Sequence, residues 1–213
     1  MSNNIGPRAT ALATATLTLA ALLAIAGCNT AGKLVGDQTV QGTMQVCASC
    51  HGADGRSISP TFPRLAGQQA EYIEVQLKAF RDKTRADPHA HTYMWGMAAK
   101  LTDETIKGLA AAYSAMPPAP GTPPDDPAQA AAGAAIFRDG IPARDVPACQ
   151  ACHQEHAEGA GQIPRLAGQQ RPYIERQLAA FGTNARANEI MHDNSKNLTP
   201  AEITQVAAFV ATQ

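Results

Sequence analysis

Cys47-Ala48-Ser49-Cys50-His51, continuing into Gly52-Ala53-Asp54-Gly55, returns later in the chain as Cys149-Gln150-Ala151-Cys152-His153. The landmarks around the two copies come in the same order. Downstream, Pro63-Arg64-Leu65-Ala66-Gly67-Gln68-Gln69 is repeated letter for letter as Pro164-Arg165-Leu166-Ala167-Gly168-Gln169-Gln170. Each block is followed by Tyr-Ile-Glu, one residue, and Gln-Leu, and Phe80 and Phe181 extend the match. Met94 with Leu101-Thr102 then answers to Met191 with Leu198-Thr199. The period is longer than that of a solenoid repeat and marks a duplicated domain.

Between the copies lies Met116-Pro117-Pro118-Ala119-Pro120-Gly121-Thr122-Pro123-Pro124, which by composition is a stiff, extended spacer. It divides the chain into a first domain at residues 41–116, a linker at 117–127 and a second domain at 128–213. The apolar spacing inside each is helical. Ile73, Leu77 and Phe80 fall at i, i+4 and i+7, as do Ile174, Leu178 and Phe181. Thr199-Pro200-Ala201-Glu202 reads as a capping box with proline in the first turn, opening a helix whose Ile203, Val206 and Val210 face inward. Ile106, Leu109 and Tyr113 mark its counterpart. Gly42 with Val46, and Gly133 with Phe137, predict a shorter helix ahead of each cysteine pair. With no strand pattern, the expected fold is all-α, two tandem domains. Each half has only about 80 residues and few aromatics, a thin core that a large buried cofactor would complete.

The chain has 17 Lys and Arg against 18 Asp and Glu. It lacks the basic excess that a phosphate backbone demands, so nucleic acid is not an expected partner. Residues 1–28 hold one basic residue, Arg8, and then an uncharged Ala/Leu/Thr run from Ala9 to Ala26, the pattern of an export signal. A retained membrane helix is the rival, weakened by Thr10, Thr14, Thr16 and Thr18. Leu23-Ala24-Ile25-Ala26-Gly27-Cys28 resembles the lipobox of bacterial lipoproteins. Lipidation of Cys28 would tether the protein to a membrane through residues 29–40; ordinary cleavage after a small residue is the alternative. The five cysteines thus divide into one that stands alone and two Cys-x-x-Cys pairs.

Cys-x-x-Cys-His is the attachment sequence of c-type haem: two thiols form thioethers to the porphyrin edge and the adjacent histidine ligates iron. Two covalently attached haem c groups are therefore expected, on Cys47 and Cys50 and on Cys149 and Cys152, with His51 and His153 as iron ligands. A disulfide, a thioredoxin-type pair or a zinc site competes for the cysteines. Each leaves the histidine after both pairs unexplained. An iron that shuttles electrons needs its sixth position filled, and methionine raises the reduction potential relative to harder donors. Met94 and Met191 superpose in the repeat, whereas the counterpart of Met97 is Asn194. His89, His91, His156 and His192 offer bis-histidine ligation instead, but they do not align between copies and read as surface residues. Pro63 and Pro164 lie 12 and 11 residues after their histidines, placed to offer a carbonyl to the ligating imidazole; a plain turn proline is the alternative. Leu65 and Leu166 are expected to pack on the haem faces.

Residues 47–55, Phe62-Pro63-Arg64-Leu65-Ala66-Gly67-Gln68, Met94-Trp95-Gly96-Met97-Ala98 and the second set of matches resemble class I cytochromes c. The two-domain arrangement is similar to the dihaem cytochrome c4 family, over about residues 41–213. The resemblance implies paired all-helical domains, His51/Met94 and His153/Met191 ligation, and periplasmic electron transfer between an upstream reductase and a terminal oxidase. There are three departures. Met191-His192-Asp193-Asn194 lacks the Gly-Met pair found after Met94, His153-Gln154-Glu155-His156 lacks the glycines found after His51, and the lipobox points to a tether. The chain reads as an electron carrier rather than an enzyme. The alternatives are a small dihaem oxidoreductase with an open sixth position and the cytochrome subunit of a dehydrogenase complex. Residues 37–116 hold eight basic and eight acidic side chains and residues 117–213 seven and ten, a difference too small to identify a partner.

Overall fold

The computed structural model describes residues 1–2 and 39–213. Cys28, the expected export signal beyond its first two residues, and the tether up to residue 38 lie outside the described residues. Among those described, extended pairing is confined to two isolated bridges, Ile141 with Val146 and Ala160 with Ile163. Everything else that is regular is helical, as the apolar spacing predicts.

In the first half, α1 spans residues 39–51 and α2 runs over Ala70–Arg81. A π-helical turn, Ala90–Met94, leads into the short α3, Trp95–Ala98, and α4 covers Asp103–Ser114. The second half holds α5 (Pro127–Asp139), a 3-10 turn (Pro142–Arg144), α6 (Gln150–His153), α7 (Arg171–Gly182), α8 (Glu189–Ser195) and α9 (Pro200–Thr212). Local chemistry sets the starts. The Asp126 carboxylate accepts from the N–H groups of Ala128 and Gln129, with Pro127 in the first turn, and Thr199 and Glu202 form the predicted capping box.

The two halves approach their cysteine pairs differently. In the first half the pair and His51 ride on α1 itself. In the second, α5 stops at Gly140, and an inserted loop precedes the separate turn α6. That loop is fastened by Arg144, which pairs with Glu202 and donates to the Asn197 carbonyl, while the Asn197 amide donates back to the Arg144 carbonyl. Gly42 and Val46 share one face of α1, as expected, and it is the outer face: Gly42 is exposed and Val46 is 58% exposed. Val40, Met44 and Cys47 share the inner face, because residues three and four apart on a helix lie on one side and Cys47 is drawn inward. Gly133 and Phe137, by contrast, share the inner face of α5, Phe137 being 1% exposed.

In each half the first and last helices cross at a glycine, but it is contributed from opposite partners. Gly133 of α5 lies against the α9 backbone at Gln205, closer than any Cβ would allow. In the first half Gly108 of α4 receives the Val40 side chain from α1. Ile73, Leu109, Ala110 and Tyr113 form one first-half core, and Phe80, Ala90 and Ala98 form a smaller one. Ile136, Phe137, Ala157, Ile174, Val206 and Val210 are among the residues that build the second-half core. The proline-rich connection is not a free spacer. Ala119 is buried, Thr122 donates its N–H to the Ala211 carbonyl, and the Pro117 carbonyl accepts from the Arg56 guanidinium.

Candidate functional site

His51 and His153, 5% and 7% exposed, are the buried histidines of the two halves. Nδ1 of His51 lies 2.9 Å from the Pro63 carbonyl oxygen and Nδ1 of His153 lies 3.1 Å from that of Pro164. A carbonyl can only accept, so each Nδ1 carries the proton and each Nε2 keeps its lone pair. Burial pushes both imidazoles below their ordinary pKa, with the proline carbonyl opposing this more weakly. Two neutral imidazoles are thus oriented with Nε2 as the coordinating atom, the form a metal ion requires.

The sequence departure after His153 leaves the backbone unchanged. Gly52 and Gly55 have φ of +84° and +70°, and their counterparts Gln154 and Ala157 keep φ of +68° and +57°. Leu65 and Ala66 donate their N–H groups to the Gly55 carbonyl, as Leu166 and Ala167 do to that of Ala157. The same loop therefore carries Pro63 and Pro164 to the back of each imidazole.

Cys47, Cys50, Cys149 and Cys152 are unpaired thiols, the first of each pair half-buried and the second exposed. Burial raises the Cys47 thiol above its ordinary value and pushes that of Cys149 up to about 11. Leu65 packs beside Cys47 in the first-half core, and Leu166 packs beside Cys149 in the second. Among the described residues, no group of three or more His, Cys, Asp or Glu could by itself hold a metal ion, so a zinc site shared between the pairs finds no support in the geometry. The donor set in each half is one imidazole nitrogen and two thiols one helical turn apart, with a half-buried methionine on a separate helix. That suits a macrocycle bound at its edge and on its metal.

Met94 closes the π-helical turn and packs with Phe80, Ala90 and Ala98. Met191 sits in the first turn of α8, its N–H donated to the Asn188 side chain. Met97 is 57% exposed. His91 and His156 are exposed as expected, but His89 and His192 are half-buried, the latter with Nδ1 2.8 Å from the Phe181 carbonyl.

The repeated block also builds a seam that the motif search does not reveal. Gln68 donates to the Arg165 carbonyl at 2.9 Å and accepts from the Arg165 N–H at 2.7 Å; Gln169 makes the same pair of bonds to Arg64, at 2.9 and 2.8 Å. Gln69 donates to the carbonyls of Glu158 and Gly159, and Gln170 to those of Ser57 and Ser59. The halves meet about a pseudo-two-fold axis. On it, Arg85 donates to Gln76 and Gln177, each at 2.8 Å, and Arg186 donates to the same two side chains at 2.8 and 2.6 Å. Each guanidinium stacks on the phenylalanine of its own half, Arg85 on Phe80 and Arg186 on Phe181. Symmetry breaks at one carboxylate, Asp87, which is 2.8 Å from Arg85 and has Asn188 as its counterpart. Burial works against its charge, yet Arg85 and Arg186 hold the Asp87 carboxyl below its ordinary value. The sign of this seam in the sequence is polar identity: nothing in core packing requires glutamines to be repeated letter for letter.

A pair of Cys-x-x-Cys-His turns backed by proline carbonyls, in two helical domains, defines a cytochrome c, and the cytochrome c family model matches residues 38–112 and 130–213. The chain belongs to the cytochrome c family. More narrowly, it is similar to the two-domain members. Cytochrome c-552 of Acidithiobacillus ferridurans is 40% identical over 92% of this chain and 86% of its own length. The solved cytochrome c4 of Acidithiobacillus ferrooxidans superposes with a TM-score of 0.75 at 41% identity, over 78% of this chain and 98% of that one. The thiosulfate dehydrogenase electron acceptor of Stutzerimonas stutzeri is 37% identical over 78% of this chain and 77% of its own. The protein is a dihaem electron-transfer cytochrome with two covalently bound haem c groups.

Proposed function

We propose that the chain is a periplasmic electron carrier in a respiratory chain, taking electrons from an upstream reductase and delivering them toward a terminal oxidase. Residues 41–116 and 128–213 act as its two haem domains, joined by 117–127. Cys47 and Cys50 would hold one haem and Cys149 and Cys152 the other, and His51 with Met94, and His153 with Met191, would ligate the two irons. The haem supplies one-electron exchange at iron. The chain does the rest: Pro63 and Pro164 fix the tautomer of each imidazole, Leu65 and Leu166 would lie against the macrocycles, and the methionines would keep outside ligands from the irons. The observation that carries this reading is the matched pair of Nδ1–H to proline-carbonyl bonds behind the two Cys-x-x-Cys turns.

The reduced protein is expected not to bind carbon monoxide and to titrate in one-electron steps. Binding at either haem would favour a dihaem oxidoreductase. Mass spectrometry of the exported protein is expected to find two haems on four sulfurs and a lipid on Cys28. None of the helices in the described residues is long and apolar enough to cross a membrane; the attachment proposed is the lipid on Cys28. Similarity to the thiosulfate dehydrogenase electron acceptor of Stutzerimonas stutzeri favours a second reading, in which the donor is a dehydrogenase of that kind. Reduction by such an enzyme in a stopped-flow mixing experiment, compared with reduction by a quinol-oxidising complex, separates the two.

A further inference from the structure

Trp95 and His192 each stand one residue after a methionine proposed as an axial ligand, and the repeat alignment makes them equivalent although their side chains differ. The Trp95 indole Nε1–H donates to the Arg85 carbonyl at 2.8 Å. Nδ1 of His192 lies 2.8 Å from the Phe181 carbonyl, where it can only be the donor. The acceptors differ in place: Arg85, the counterpart of Arg186, lies in the loop just after α2, whereas Phe181, the counterpart of Phe80, lies in the last turn of α7. Both rings are half-buried. His192 therefore does not behave as one of the solvated histidines, and its Nδ1 is committed to holding α8 against α7.

The backbone of the two methionine segments differs as much as the side chains do. Six residues separate Asp87 from Met94, and the chain takes them up in a π-helical turn. Only two separate Asn188 from Met191, which lies in an ordinary α-helical turn capped by Asn188. Two dissimilar segments, one ending on an indole and the other on an imidazole, thus arrive at the same kind of tether immediately after the methionine.

We infer that Trp95 and His192 are positioning residues for Met94 and Met191, each fixing the sulfur of its neighbour by donating a ring N–H to a backbone carbonyl of the preceding helix or its loop. The inference rests on the proposed methionine ligation. A thioether is a weak ligand on a flexible side chain, so anchoring the adjacent residue limits the positions its sulfur can take. The anchor belongs on the residue next to the ligand, where it can act without touching the metal.

The test reads the weak red charge-transfer band of ferric iron bound to methionine sulfur, to which two such haems contribute in equal parts, together with the two potential steps. His192→Leu removes the donor and is expected to lose up to half of the band and to shift one step to lower potential. His192→Asn places an amide N–H where Nδ1 stood and is expected to keep the full band. Trp95→Phe keeps an aromatic ring, removes the indole N–H and is expected to diminish the other half. Full band and unshifted potentials in both His192→Leu and Trp95→Phe would overturn the inference, as would equal loss in His192→Leu and His192→Asn. Met191→Ala distinguishes the underlying reading. If it leaves the band whole, methionine ligation by Met191 fails and the inference falls with it. If it removes half the band while His192→Leu removes none, only the positioning role fails.

Discussion

Gln154 and Ala157 adopt left-handed backbone that Gly52 and Gly55 supply freely in the other half. A side chain at such positive φ costs of order 1–3 kcal/mol, and Gln154, with ψ of 168°, lies in the extended part of that region that glycine alone visits freely. Gln154 is exposed, so Gln154→Gly removes the strain without opening a cavity. The denaturation midpoint is expected to rise, by about 1 kcal/mol of stability after the added chain entropy of glycine; Gly52→Ala is expected to lower it. A fall in midpoint for Gln154→Gly, in urea titration, would contradict this account. At this scale the sequence is legible where chemistry demands a particular atom. The cysteines and histidines stand out by motif, and the Pro63 and Pro164 carbonyls behind His51 and His153 are found by counting. His192 was not legible, because its role lies in a hydrogen bond to a carbonyl and any ring N–H at that place serves, as Trp95 demonstrates.

The seam is built from element ends and loops whose polar groups would otherwise face water. Removing one side of a reciprocal pair leaves a backbone N–H and a carbonyl without partners, at a cost of about 1–3 kcal/mol. Gln68→Ala and Gln169→Ala are each expected to destabilise the protein by that amount in chemical denaturation, while covalent haem content stays unchanged. The buried network adds a pH dependence. Because the folded Asp87 carboxyl lies below its ordinary value of about 3.9, its contribution to stability is fully present above that value and is lost as the pH falls through the lower folded one. Stability measured across the acid range should show this loss in the native protein. Asp87→Asn, which leaves Arg85 and Arg186 without their carboxylate, should be less stable near neutrality and have a shallower acid slope. The amphipathic helices and the Thr199 capping box were readable because period and spacing encode them directly. The inner face of α1 was not, since which side of a short helix turns inward is decided by what crosses it.

At the scale of the molecule, two similar halves have been made unequal: the inserted loop held by Arg144, the extra residues before Met94 and the single buried carboxylate each belong to one half only. The seam and the packed linker nonetheless bind them into one body. Thermal unfolding followed by haem absorption and by far-ultraviolet dichroism is expected to give coincident, single transitions; two separated transitions would mean that the halves unfold independently. The tandem architecture was legible from the verbatim block, but a proline-rich connection reads as a spacer whether or not it is packed. The near-symmetry of the seam has one further consequence. Gln68 reads the Arg165 backbone as Gln169 reads that of Arg64, so the contact is isologous, and a lone half displaying that block carries both the key and the lock for a second copy of itself. The duplicated chain is thus built like a homodimer whose subunits have been fused, with the short linker through the buried Ala119 carrying both sides of that contact on one polypeptide.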